Sequence, residues 1–323
     1  MQTHRPLGIV LSTVTDAHAP ELVEVGALAE QHGYGSVYVN EGRGDALATS
    51  LAIGLATESI SIGTNIANIY FRHPFLIAHT SRTIIELVGE RLVLGLGMSH
   101  RGMLASLGID MGNARETLES YATTIRNTLA GKVGTAVLGD RDKGVSLPIY
   151  LAANTSESAA LAGRVGDGFM PFLSPRKYIP TLVTAFEEPR TTKSANQCVM
   201  SIPTFLSVDR EAARSAARYN LAFLSQLPNY RRQWRRAGFI EEMNSLKAHW
   251  ESGGTRRDAA GLISEHLVDE VCVFGTADDC LAQLESFRSA GVTEPVLAVS
   301  PVNEERLAAT RGAIKALAPS RAL

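Results

Sequence analysis

The stretch Gly89-Glu-Arg-Leu-Val-Leu-Gly-Leu-Gly-Met-Ser-His-Arg101 joins a short apolar run to a glycine-spaced, titratable end. The run Leu92–Leu96 suits a strand buried on both faces. Its polar end suits the carboxyl end of that strand opening into a site, which is where α/β folds bind ligands. Gly95 and Gly97 have no Cβ, so they either admit a flat ligand close to the backbone or ease a bend in the sheet. His100 is a candidate for proton transfer, because an imidazole titrates near neutrality. Gly97, Met98 and Ser99 would line the same strand end.

Other strand ends add to this set. Ser12 and Thr13 close the first apolar segment, and Asn40-Glu41 close the second. Glu41 is the one carboxylate at an early strand end. It acts as an acid or base if burial raises its pKa, or else pairs with Arg43 or Arg72. Asn65-Ile66-Ala67-Asn68 close the third segment. Asn154-Thr155-Ser156-Glu157 stand between a buried strand and a helix. There they present N-cap side chains and free backbone N–H groups, which hold either the helix end alone or a phosphate. Asp167 is read as structural, capping a helix end or pairing with Arg164.

The segments around these residues alternate. Strand-like Leu7–Ser12, Ser36–Asn40, Ile60–Asn68, Leu92–Leu96, Pro148–Ala153, Gly168–Leu173 and Val199–Val208 interleave with helical Pro20–Gly33, Asp45–Thr57, Pro74–Val88, Arg115–Leu129, Glu157–Val165 and Pro175–Phe186. A last unit follows, helix Ala277–Ala290 and strand Pro295–Val299, closed by helix Glu304–Leu317. Lys132–Leu147 is a glycine-rich surface connection. Repeated β-then-α units argue for one parallel sheet, and about eight of them argue for a barrel. The expected fold is α/β: a single (β/α)8 TIM barrel over residues 1–323, with a helical insertion (about 210–265) before the last β/α unit. Within that insertion Glu211–Gln226 and Arg231–Leu246 read as helices and Glu251–Arg257 as a loop.

Composition limits the function classes. The chain has 323 residues, 45% hydrophobic and 20% charged, with a net charge of -2. That balance gives no pull toward nucleic acid or an anionic membrane. The cluster Arg231-Arg-Gln-Trp-Arg-Arg236 is read as a solvated helix face, or else as the partner of a multiply anionic ligand tail. No apolar run is long enough to span a bilayer, and the first residues do not form a signal peptide. Cys198, Cys272 and Cys280 make no CxxC pair and are read as buried, reduced thiols of a cytoplasmic protein. No metal site is expected, because the histidines fall at no ligand spacing. No Gly-x-Ser-x-Gly elbow or Walker loop is present.

Taken together, these motifs resemble the bacterial-luciferase-like superfamily of flavin- and deazaflavin-dependent oxidoreductases. The resemblance rests on Gly89–Arg101, on Arg72-His-Pro-Phe-Leu-Ile-Ala78, on Pro148-Ile-Tyr-Leu-Ala-Ala153, on Leu161-Ala-Gly-Arg-Val-Gly-Asp-Gly-Phe169 and on Phe274-Gly-Thr-Ala-Asp-Asp-Cys280. It runs in order along the chain and lacks a match only between about Asn220 and Leu262. It implies a barrel whose carboxyl face holds a planar cofactor over the ends of strands two to four. A non-proline cis peptide would support the ring near Ala67-Asn68, and Asn154, Thr155 and Ser156 would hold the cofactor phosphate. Asn40, Asn68 and Ser99 would hydrogen-bond the ring or the substrate, with Asn65, Ala67, Gly97 and Met98 completing the cofactor site.

The Gly-Leu-Gly-Met-Ser-His-Arg form resembles the branch that uses coenzyme F420, with FMN the alternative cofactor. F420 carries an acidic oligoglutamate tail, which would give the insertion's arginines a partner. The chain departs from that branch's sugar-phosphate dehydrogenases, which carry a carboxylate where Met98 stands. The resemblance therefore implies an F420-dependent oxidoreductase that moves a hydride between the deazaflavin C5 and a small organic substrate, with His100 and Glu41 as its proton-transfer residues. An FMNH2- and O2-dependent monooxygenase served by a flavin reductase is the second reading. A non-catalytic barrel that binds a cofactor or partner is the third. A homodimer is expected from the resemblance.

Overall fold

The computed structural model describes residues 6–13, 17–133, 145, 147–190 and 197–319. The expected connection Lys132–Leu147 therefore lies mostly outside the described residues. Ten strands form one parallel sheet: β1 (Gly8–Ser12), β2 (Ser36–Asn40), β3 (Ser61–Thr64), β4 (Ala67–Asn68), β5 (Leu92–Gly97), β6 (Ile149–Ala152), β7 (Gly168–Met170), β8 (Val199–Leu206), β9 (Val273–Gly275) and β10 (Glu294–Val299). Their order is β7-β6-β5-β3-β2-β1-β10-β8-β9, with β4 pairing β5. Isolated parallel bridges Phe169↔Cys198 and Phe172↔Ser201 connect the β7 side to β8, so the sheet curls back on itself. Val10↔Tyr38 and Ser12↔Asn40 set the register of the first pair.

Ten strands replace the expected eight for two local reasons. The segment Ile60–Asn68 breaks at Asn65-Ile66, which are joined by a non-proline cis peptide. Thr64 donates its hydroxyl to the Gly95 carbonyl at 2.7 Å beside this break. The cis bond thus falls two residues before the expected Ala67-Asn68 position. β9 lies between the expected insertion and the last β/α unit and pairs with the end of β8 through Thr204↔Val273 and Leu206↔Gly275. Three residues are too few to show a strand period.

Six outer helices follow the expected pattern, α1 (Ala19–Gln31), α2 (Ala46–Leu55), α3 (Pro74–Val88), α5 (Ala114–Leu129), α6 (Ser156–Val165) and α7 (Ile179–Glu187), and a short α4 (Arg101–Ser106) is added to them after β5. The local chemistry of α3 explains its limits. Pro74 fits the first turn, the His73 ring accepts the Phe75 N–H at 3.3 Å, and Gly89 ends the helix at φ +80°. Asp167 pairs with Arg126 at 2.7 Å rather than Arg164, and accepts the Ile149 N–H at 2.8 Å.

The insertion contains five helices: α8 (Arg210–Leu224), α9 (Pro228–Arg236), α10 (Ile240–Glu251), α11 (Arg256–Leu262) and α12 (Glu265–Val271). The expected helix Arg231–Leu246 is two helices, because the chain turns at Gly238 with φ +96°, a conformation costly for any other residue. The expected loop Glu251–Arg257 is confined to the short α10–α11 turn. These helices share an apolar core of their own around Trp234, Leu221, Met243, Leu267 and Phe274, distinct from the main core of Ile9, Val37, Ile62, Leu94 and Leu151. Trp234 is fully buried and its Nε1 donates to the Leu173 carbonyl at 2.9 Å, which fixes α9 above the strand ends. Helices α13 (Ala277–Ser289) and α14 (Arg306–Ala316) complete the fold. No helix among the described residues is long and apolar enough to cross a membrane.

Candidate active site

A cavity of about 960 Å³ opens at the carboxyl ends of β1, β2, β3, β5 and β6, beneath α9. Asn40, Glu41, Asn65, Gly97, Met98, Ser99, His100, Asn154 and Thr155 line it. The strand ends named from sequence therefore do converge on one space. Ala67, Asn68 and Ser156 do not line it. Ala67 and Asn68 are buried in pairing with Leu96 and Gly97, and the Asn68 side chain accepts the Tyr70 N–H at 3.0 Å. Ser156 turns away toward the Tyr178 hydroxyl at 3.4 Å.

The convergent amides mostly tie strands to one another. Asn40 accepts the Thr13 N–H at 2.9 Å and donates to the Ser12 hydroxyl at 3.3 Å, so β1 and β2 share one end. Asn65 donates to Ser201 of β8 at 3.0 Å. Asn154 accepts the Phe172 N–H at 2.8 Å. At the start of α6, Thr155 and Ser158 form a reciprocal capping box, with bonds of 3.0 and 3.2 Å. Glu157 follows and pairs with Arg236 at 3.1 Å. Its hydrogen bond to Thr155 holds its carboxyl below the ordinary range. Thr155 and Ser158 still face the cavity.

Glu41 has both oxygens engaged. One pairs with Arg72 at 2.5 Å and the other accepts the Asn68 N–H at 2.7 Å; Arg72 also holds Asp45. The Arg72 pairing weighed from sequence is thus formed. The glycines also serve the sheet itself, although Gly97 does line the cavity. A Cβ on Gly95 would stand 2.0 Å from the Thr64 carbonyl oxygen, and one on Gly97 would stand 2.5 Å from Ile66. Both make room for the interrupted third strand.

His100 is the exception among these polar residues, since its ring makes no hydrogen bond among the described residues. The backbone enters α4 through Ser99 at φ +60°, a left-handed conformation rare for serine and concentrated at functional sites. His100 is half-buried and meets the Tyr230 ring edge-on, with centroids 5.7 Å apart. Burial lowers its pKa from the ordinary 6.5, so the ring is neutral at pH 7.

The profile of a family described as luciferase-like monooxygenases matches residues 5–294. The chain belongs to that family. It is 25% identical over 308 residues to the 5,10-methylenetetrahydromethanopterin reductase of Methanolobus tindarius, covering 86% of this chain and 90% of the relative. It is 27% identical over 320 residues to a putative coenzyme F420-dependent oxidoreductase of Mycobacterium tuberculosis, covering 88% and 92%. Among solved structures, the coenzyme F420-dependent tetrahydromethanopterin reductase of Methanopyrus kandleri superposes with a TM-score of 0.79 at 20% identity, covering 98% of this chain and 99% of that one.

Of the side of this luciferase-like cavity that α9 builds, the sequence offered only the arginines, as partners of an anionic ligand tail. Asn229, Tyr230, Arg232, Gln233 and Arg236 all line it. Their spacing is that of one helical face, a signal that was legible in the sequence but fits a solvated face equally well. Of the arginine cluster, Arg232 and Arg236 face the cavity. Arg231 instead donates to the Ser225 and Gln226 carbonyls and Arg235 to Asn244. Arg115 of α5 joins the lining as well.

Proposed function

We propose that this luciferase-like protein is an F420-dependent oxidoreductase that transfers a hydride between the deazaflavin C5 and a small organic substrate. The charge of the cavity carries this reading. Arg115 and Arg232 line it without an ion-pair partner among the described residues, while its carboxylate, Glu41, is neutralised by Arg72. Surplus guanidinium groups suit a cofactor with a phosphate and an acidic tail, since planar N–H forks match carboxylate and phosphate. The cavity volume also fits, as about 960 Å³ lies at the upper end of small-ligand sites. The relatives named for F420 support the same choice.

On this reading, Thr155 and Ser158 would hold the cofactor phosphate, Arg115 and Arg232 its acidic extension, and Gly97, Met98 and Ser99 would flank the ring. When bound, the deazaflavin supplies the hydride chemistry. The protein supplies orientation, exclusion of water beneath α9, and proton transfer at the neutral ring of His100. Glu41, engaged on both oxygens, is assigned the role of holding the Asn65–Asn68 segment in place. A fluorescence titration of the purified protein with F420 and, separately, with FMN tests the proposal. Binding of F420 with much weaker binding of FMN is expected; the reverse would move the activity to oxygen chemistry with a partner reductase.

The architecture is read as one (β/α)8 domain, with β3 and β4 as a single interrupted strand and β9 as an annex on β8. A homodimer is supported by the surface of α2 and α3. The helix α2 carries no charge, and Leu55 is 62% exposed; Leu76 and Leu87 of the neighbouring α3 are 55% and 56% exposed. An apolar outer face of this kind suits a second copy of the chain. Leu55→Glu combined with Leu87→Glu should halve the mass measured by light scattering. A cytoplasmic setting is supported by the three buried free thiols.

A further inference from the structure

On α9, Gln233 and Tyr230 are one helical turn apart, both line the cavity, and both are almost wholly buried, at 2% and 6% exposure. The Gln233 amide has a fixed orientation. Its Nε2 donates to the Phe172 carbonyl at 3.0 Å and to the Ser174 hydroxyl at 2.8 Å. A carbonyl only accepts, so the nitrogen must face Phe172 and the amide cannot flip. Both N–H groups are thereby used, and Oε1 is left without a partner among the described residues. The Tyr230 hydroxyl also makes no hydrogen bond among the described residues, while its ring is held edge-on to Phe172 and stacked on Trp234. Burial pushes its phenol up, so it stays protonated and able to donate.

Buried polar groups are normally paired, and leaving one unpaired is costly. Gln233 Oε1 and the Tyr230 hydroxyl are open to the cavity rather than sealed in the packed core, so a bound ligand that displaces water from them must satisfy both. We propose that Gln233 and Tyr230 form a specificity subsite for a substrate that presents an O–H or N–H donor, with Gln233 Oε1 accepting from that group and the Tyr230 hydroxyl donating to it. A hydroxyl satisfies both residues. A bare ketone or aldehyde would leave its oxygen facing an obligate acceptor and is disfavoured.

This inference rests on the oxidoreductase reading for its consequence: of a carbinol/carbonyl redox pair, the site holds the carbinol. Oxidation of that carbinol would break its C–H bond, with the hydride and its two electrons passing to the deazaflavin. The O–H bond would also break: its proton would turn from Gln233 Oε1, a neutral amide oxygen that is no base, to the His100 imidazole, and a C=O bond would form. The carbonyl product loses the donor that Gln233 requires, which favours its release. Both residues stand on α9 of the helical insertion, so the preference would be set by the insertion rather than by the strand ends.

Ligand-observed NMR provides the test, using matched pairs: 2-propanol with acetone, cyclohexanol with cyclohexanone, and 1-phenylethanol with acetophenone. The alcohol of at least one pair should bind the wild-type protein roughly tenfold tighter than its ketone, a ratio typical of one discriminating hydrogen bond. Gln233→Met should bring that ratio close to unity, and Tyr230→Phe should weaken both members while leaving the melting temperature near that of the wild type. Equal binding of alcohol and ketone to the wild type, or binding of neither in any pair, overturns the proposal regardless of how the Gln233 variant folds. F420 titration of the same samples separates the two claims. F420 binding without the alcohol preference sinks the subsite alone, and the preference without F420 binding sinks the cofactor reading alone.

Discussion

Arg72 of the β4–α3 turn lies 2.5 Å from Glu41 at the end of β2, and that ion pair ties the cavity-lining end of β2 to the turn behind it. The Glu41 side chain is only 4% exposed, so Arg72 and the Asn68 N–H take the place of solvating water. Removing one partner of a buried pair leaves the other charge uncompensated. Arg72→Met is therefore expected to destabilise the fold by roughly 3–5 kcal/mol, measured by urea unfolding. Adding Glu41→Gln to that variant should restore part of the loss. A double variant no more stable than the single one would show that the pair is not the cause.

His100 gives a prediction with a direction in pH. Burial lowers its pKa below 6.5, so the neutral ring persists further into acid than that of a free histidine. If the neutral form takes the substrate proton, turnover should hold down to below pH 6.5 and then fall as the imidazolium forms. His100→Gln should lower turnover by roughly 10²–10⁴-fold, the range for a general base, and abolish that acid limb. F420 affinity measured by fluorescence should move little. An acid limb that survives in the variant would assign the titration to another group.

How much of this was readable beforehand depends on whether the signal was local. The strand Leu92–Leu96 was legible because its alternate leucines are buried on a glycine-bounded run, and α6 because Thr155 is a strong N-cap. The break at Asn65-Ile66 was not, since a single Asn ahead of β-branched Ile66 gives no turn signature and the interruption is set by contacts with β5. Gly238 was the visible sign that α9 and α10 are separate, but an apolar and charged mixture on either side masked it. The strand-end residues were found because topology dictates where strand ends go. Tyr230 and Gln233 were not, because a polar helical face looks the same whether it meets water or a cavity. Only tertiary packing, here the burial of Trp234, decides which.

A second pH dependence belongs to the opposite end of the sheet. Glu294 begins β10 and is buried against Ser36, with Tyr38 and Tyr150 close by. Burial is the largest influence on it and raises its pKa above 4.5, against the opposing hydrogen bonds of Ser36 and Tyr38 and the charge of Arg288. A raised folded-state pKa means that this carboxyl's contribution is fully present below pH 4.5 and is lost as pH rises through the folded value. Glu294→Gln should accordingly raise Tm at pH 7 and above while changing it little near pH 4. Melting curves across that range check the sign, and a variant that is less stable at every pH would show that the charged carboxylate is needed.

Gly95 and Gly97 are two residues apart on one strand, and the cost of filling each should differ in kind. A Cβ at Gly95 meets backbone, the Thr64 carbonyl oxygen at 2.0 Å, so β3 and β5 would have to move apart. At Gly97 the nearest atoms, at 2.5 and 2.6 Å, are side-chain carbons of Ile66, which can rotate away more cheaply. Gly95→Ala is expected to reach or exceed the upper end of the 1–3 kcal/mol typical of overpacking, roughly 3 kcal/mol or more, and Gly97→Ala to stay near roughly 1. Because Ile66 also lines the cavity, Gly97→Ala should still weaken F420 binding while leaving most of the stability intact. Urea unfolding and the F420 titration on both variants separate the two effects. Equal destabilisation at the two positions would mean that Ile66 is held as rigidly as the backbone beside it.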